Sequence, residues 1–238
     1  MNKLDTLINE AYRLFSPYQL GTTLAVCTCN CCLLEISAKN LRTVKLRELD
    51  KDTIYDYLDA VESASEETII NQIRYLLPRI LQFLIEGKEI RHSVELTLDK
   101  LHCDNPLWRK DEIQFLQKFA QCYFQQKLNS SDFYHIIEIV VMFDNAKLEN
   151  TCLDELFHVI LKNAHNPKVI DEMLGVIPYG NINCFASDEL NAKVAHFIHS
   201  DNFKNAFINA ILRNVDNPNL TEDEKNFYEV AFDNFSCL

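Results

Sequence analysis

Only four glycines, Gly21, Gly87, Gly175 and Gly180, occur in 238 residues. Phosphate-cradling loops and hairpin-rich sheets need several positions at positive φ, which glycine adopts at least cost. Their scarcity excludes a Gly-rich nucleotide loop and counts against a β architecture. Signposted reaction chemistry is missing as well. G-x-S-x-G, H-E-x-x-H and G-x-x-x-x-G-K-[ST] do not occur, which removes the best-marked hydrolase, metalloprotease and NTPase readings.

Long apolar runs are also lacking. The most apolar stretch, "IIEIVVMF" at 136 to 143, is far short of the roughly 20 residues that a membrane-spanning helix requires. The first residues, "MNKLDTLINEAYRLF", mix Asp5, Asn9 and Glu10 into the apolar positions, unlike a secretory signal. No membrane segment is expected, and a cytoplasmic location follows. Nine cysteines in such a chain read as reduced thiols, because disulfides persist mainly in oxidising compartments.

Positive charge is in short supply, with 35 acidic against 23 basic residues and a formal net charge of −12. That balance disfavours capture of nucleic-acid phosphates and points to a basic protein partner.

What is present is helical periodicity. Leu4, Ile8, Tyr12 and Leu14–Phe15 recur at about 3.6 residues and stop at Ser16-Pro17. Residues 17 to about 50 are the least regular. Later segments open at capping residues: Asp50 or Asp52, Ser65, Ser131, and Thr221 with Glu224 as a capping box. Pro78 is expected to kink its helix or begin a new one. Asn-Pro pairs at 105, 166 and 217, with Gly180, mark connections. These signals predict an all-α chain, read as one domain over 1–238. About eleven antiparallel helices with short connections form an irregular stack, HEAT-like, solenoid-like or bundled.

The densest cluster of reactive side chains is "CTCNCC", with Cys27, Cys29, Cys31 and Cys32. Cys29 and Cys32 form a C-x-x-C, the spacing that offers two zinc ligands from one turn. No second pair follows; His102-Cys103 is the nearest composite partner, and only if folding returns it to the loop. Cysteine is among the most often buried residue types, so structural thiols, at least two of them packed against the following helices, are expected and no cofactor is assigned. Zinc at Cys29 and Cys32 is the alternative. A redox role lacks the βαβ surroundings that such motifs occupy. His196 and His199, at i and i+3, and the isolated His135, His158 and His165 read as surface or structural histidines.

Residues 48 to 67 carry eight acidic residues against Lys51 alone. At 100° per residue Asp52, Asp56 and Asp59 share one helix side, opposite Ile54, Leu58 and Val61. Asp52, Asp56, Asp59 and Glu62 are therefore the candidate partner-binding carboxylates. Lys39, Arg42, Lys45 and Arg47, just before them, are placed to neutralise part of the stripe. A second acidic stretch runs from Asp216 to Asp233.

From the cysteine loop through "VKLRELDKDTIYDYLDAV" to "IRYLLPRILQFLIEG", about residues 18 to 88, the chain resembles a group of uncharacterised bacterial helical proteins. These pair a Cys-containing loop with L-R-E-L and F/Y-x-L-P-R segments. The resemblance implies a bacterial, largely helical protein and supplies no activity to carry over. In composition the chain is also similar to bacterial toxin-immunity proteins. The expected function is an acidic cytosolic binding protein, an immunity protein that occludes a cationic toxin domain such as a nuclease. An enzyme or metal protein built from dispersed residues, and a helical scaffold, stay open beside it.

Overall fold

The computed structural model describes residues 3–130, 136–177, 184–215 and 219–238. Among these the chain is all-α, with eleven α-helices, three 3-10 turns, one isolated bridge between Val26 and Glu62, and no strand. The helices are α1 Lys3–Leu14, α2 Glu35–Thr43, α3 Lys51–Asp59, α4 Glu66–Ile85, α5 Lys110–Leu128 and α6 Ile136–Asn145. There follow α7 Asn150–Lys162, α8 Pro167–Val176, α9 Asp188–Ile198, α10 Asp201–Val215 and α11 Glu222–Ser236. They fall into two compact units, Met1–Tyr123 with Asn145–Glu149, and Phe124–Asp144 with Asn150–Leu238.

Local chemistry sets the starts. Asp50 caps α3 by accepting from the Thr53 amide at 2.7 Å, and Ser65 caps α4 through the Thr68 amide at 3.4 Å. In α8, Asn166 accepts from the Lys168 amide at 3.1 Å while Pro167 occupies the first turn, where its missing N–H costs nothing. The Thr221–Glu224 capping box forms as the spacing predicts. Asn105-Pro106 and Asn166-Pro167 lie outside helix interiors. Ser131, Gly180, His135 and the pair at 217 lie outside the described residues.

Two expectations need correcting. Pro78 does not begin a new helix, because α4 runs through it without a break. The proline forfeits one backbone bond, whereas twelve of the twenty α4 residues are buried, Pro78 among them, and packing holds the helix on all but the half-buried stripe of Asn71, Tyr75, Arg79 and Gln82. The stretch 17 to 50 is not wholly irregular either, since it contains α2. Ser37, Ala38 and Leu41 bury one narrow face, while exposed Leu34 and Ile36 blur the apolar period.

In the first unit α4 is central, packed by α1, α3 and the 3-10 turns Leu46–Glu48 and Asp99–Leu101, and α2 packs on α3. Arg74 of α4 pairs with Glu112 at 3.0 Å, their side chains 5 % and 0 % exposed. Glu112 also accepts from the Tyr18 hydroxyl at 2.5 Å and the Arg109 amide at 2.9 Å, so its buried charge is matched by donors. In the second unit α10 and α11 pack together, with α8 on α11 and both α7 and α9 on α10. Phe203, Phe207 and Phe235 are fully buried there, the last two stacked at 4.7 Å.

Gln72 fastens the segment after α1 to α4. Its Nε2 donates to the Leu20 and Thr23 carbonyls, both at 2.6 Å, and its Oε1 accepts from the Ala25 amide at 2.8 Å and the Tyr57 hydroxyl at 3.1 Å. Replacing it by leucine keeps the volume but strands these buried groups. Gln72→Leu is predicted to lower unfolding free energy by about 2–4 kcal/mol in urea titration, with an unchanged denaturant slope.

Candidate functional site

The cysteine turn is held at both ends by the main chain. Upstream, Cys27 donates its amide to the Val61 carbonyl at 2.7 Å and Ala25 accepts from the Ser63 amide at 2.9 Å. Downstream, the amides of Cys32 and Leu33 converge on the Cys29 carbonyl at 2.8 and 3.0 Å, and the Leu33 side chain is buried. Apolar anchoring falls to Leu24, Ala25 and Val26 on one side and Leu33 on the other. The turn between them has no core to enter. Cys29 and Cys31 are exposed and Cys27 and Cys32 half-exposed, which corrects the expectation that they pack against the helices that follow.

Their sulfurs converge. Cys29 Sγ lies 3.0 Å from both Cys27 Sγ and Cys31 Sγ, and Cys31 Sγ lies 3.9 Å from Cys32 Sγ. The sulfurs of Cys27, Cys29 and Cys32 all fall within 4.8 Å of one another. Neither His102 nor Cys103 belongs to this group; Cys103 is buried, its amide bonded to the Ala146 carbonyl at 2.9 Å. Hydrogen bonding from the thiols of Cys31, Cys27 and Cys32 brings Cys29 down to about 6, and hydrogen bonding to Cys29 and Cys27 pushes Cys32 up to about 12. One thiolate shared among neighbouring thiols is the arrangement that results. Such a set offers soft donors to a metal and one activated nucleophile.

The acidic helix beside this turn is only partly free. Asp52 is exposed, 3.9 Å from Lys51 Nζ. Asp56 accepts from the Ser37 hydroxyl, Asp59 meets His92 Nδ1 at 3.3 Å, and Glu62 faces His102 Nε2 at 3.7 Å. Val61 does not join the buried face with Ile54 and Leu58. The helix ends at Asp59, so helical phase no longer governs Val61, and it is 64 % exposed. Of the preceding cations, Lys45 reaches Glu48 at 3.9 Å and Arg47 lies over the Tyr12 ring at 3.6 Å.

Sequence reasoning missed the residues that close the end of α3. Arg91 donates to the Leu58 carbonyl and Lys100 to the Ala60 carbonyl, two cations at the negative pole of the helix. Arg91 also pairs with Asp99 at 3.1 Å. Burial pushes Lys100 down, against the attraction of Glu62. The signal was present in "RHSVELTLDKLH", which holds Arg91, His92, Lys100 and His102 soon after a nearly cation-free acidic stretch.

The chain matches no protein-family model, no curated protein and no solved structure. Its function therefore rests on its own geometry. In the second unit His158 and His196 line an open groove of about 550 Å³ with Phe157 and Phe197, whose rings stack at 4.5 Å. Neither they nor His199, all exposed, belongs to a cluster of metal-type ligands among the described residues. In the second acidic stretch Glu222 pairs with Lys225 at 2.7 Å and Glu224 serves the helix cap, so both have local roles.

Because the thiolate is the nucleophile, a lowered pKa moves the fall in reactivity to lower pH. With chelator and reductant present, alkylation of Cys29 by iodoacetamide should be level above about pH 7 and decline below about pH 6. Peptide mass spectrometry reads this directly. A rate still climbing through about pH 8, as for an ordinary thiol, would contradict the sharing of protons within the turn.

Proposed function

We propose that this is an acidic binding protein that docks a cationic protein through the surface around α3 and the cysteine turn. The observation that supports it is a set of exposed aliphatic side chains among carboxylates. Leu34 and Ile36, 52 % and 59 % exposed, follow the turn directly, and Val61 is tied to it through Cys27. Exposed Glu35, Asp52, Glu66 and Glu67 lie on the neighbouring helix starts. Apolar contacts of this kind supply binding energy, while a polar rim of one sign sets partner choice and encounter rate.

The partner that fits is basic where this surface meets it. A nuclease toxin domain has that character over its substrate-binding face, and a carboxylate-rich protein occluding it would act as its immunity protein in the cytoplasm. The bacterial resemblance over residues 18 to 88 is in keeping with that setting. Among the described residues no helix is long and apolar enough to cross a membrane.

Co-expression tests the reading. A host whose growth is arrested by the C-terminal toxin domain encoded beside this gene should recover when the chain is present. Continued arrest, or an adjacent frame with no growth-arresting domain, would count against immunity.

Charge neutralisation tests the surface. Asp56, Asp59 and Glu62 have internal partners, so the informative positions are Asp52 and Glu67. The double variant Asp52→Asn with Glu67→Gln should slow association with the basic partner by about threefold to tenfold at low salt and flatten its salt dependence. Stopped-flow measurements across ionic strengths would show this, and unchanged rates would place the interface elsewhere.

A further inference from the structure

We propose that the turn of residues 27 to 32 is a zinc site, in which Cys27, Cys29 and Cys32 bind one ion through sulfur and Cys31 supplies the fourth thiolate. This assignment is independent of the docking reading.

Tetrahedral zinc with Zn–S bonds near 2.3 Å sets its sulfurs about 3.8 Å apart. Cys27, Cys29 and Cys32 already lie within 4.8 Å of one another. Cys31 stands 3.0 Å from Cys29 and 3.9 Å from Cys32 but lies outside the group of three, so its side chain has to turn toward Cys27 to complete the set. The span suits a single ion. An iron–sulfur cluster needs ligands separated across several metal and sulfide atoms, and sulfurs this close leave no room for one.

The frame is independent of any ion. Backbone bonds from Cys27 to Val61 and from Ser63 to Ala25 fix its entry, and buried Leu33 fixes its exit. Six residues then carry all four donors, so little chain entropy is lost when they converge. Surroundings favour a dication as well, since Glu62 is bridged to Val26, the residue before Cys27, and Glu35 is exposed two residues after Leu33. Soft thiolates select zinc over the hard cations magnesium and calcium. Each thiol that ligates releases its proton to solvent, so the bound site carries four thiolates and one Zn2+.

The test uses the full reduced chain, stripped with chelator and titrated with Zn2+, with Co2+ as its spectroscopic stand-in. Expected are one equivalent of tightly held zinc, a sulfur-to-cobalt charge-transfer band with tetrahedral d–d intensity, and proton release. Zinc should protect Cys27, Cys29, Cys31 and Cys32 from iodoacetamide while exposed Cys184 and Cys237 stay reactive, an internal control. Cys29→Ser with Cys32→Ser should abolish uptake and keep the helical circular dichroism, because both side chains lie outside the core. Cys103→Ser should bind as the parent does. Absence of both the charge-transfer band and the protection in the parent chain overturns the site. An unaltered cobalt spectrum in Cys31→Ser overturns the fourth ligand.

Discussion

The first unit depends on a buried amide. Gln72 is 2 % exposed, yet all of its hydrogen-bonding capacity used here is spent on groups outside its own helix: two carbonyls, one amide and a tyrosine hydroxyl. A segment without regular structure carries backbone donors and acceptors that cannot be buried unpaired. By satisfying them from the side of α4, Gln72 lets Leu20, Leu24, Ala25 and Val26 enter the core. The cysteine turn inherits its position from that attachment. An aliphatic side chain of the same volume at this point would fill the space and leave the segment without a register.

Charge is handled by the same economy of pairing. Glu112 is wholly buried and surrounded by Arg74, the Tyr18 hydroxyl and the Arg109 amide, so that its desolvation is offset by directed donors. At the far end of α3, Arg91 and Lys100 spend their charges on the last helical carbonyls, with Asp99 beside Arg91 and His92 and His102 facing Asp59 and Glu62. An acidic stripe that looks free along the chain is thereby divided. One part is structural, and the part that begins at Asp52 and resumes at the start of α4 stays exposed.

Helix starts were legible because they depend on neighbours three residues away: Asp50 with Thr53, Ser65 with Thr68, and Thr221 with Glu224. The all-α character of the described residues followed from apolar spacing for the same reason. α2 was not legible, since nine residues with an exposed Ile36 give too weak a period. The path through Pro78 was not legible either, because the burial that keeps α4 intact comes from other segments. Val61 was assigned by helical phase to the buried face, and a helix end two residues earlier removed the basis for it.

The cysteine turn divides the two kinds of information most clearly. Composition and spacing alone determined that four thiols lie within six residues, that the chain is acidic, and that its helices are amphipathic, all being properties of near neighbours in sequence. Tertiary structure decided that those thiols face solvent with their sulfurs converging, and that residues 91 to 102 return to the end of α3. The physical reason is that exposure and charge pairing are set by contacts across tens of residues, between Cys27 and Val61 or between Leu58 and Arg91. No local pattern encodes the partner of a residue that the fold alone brings near.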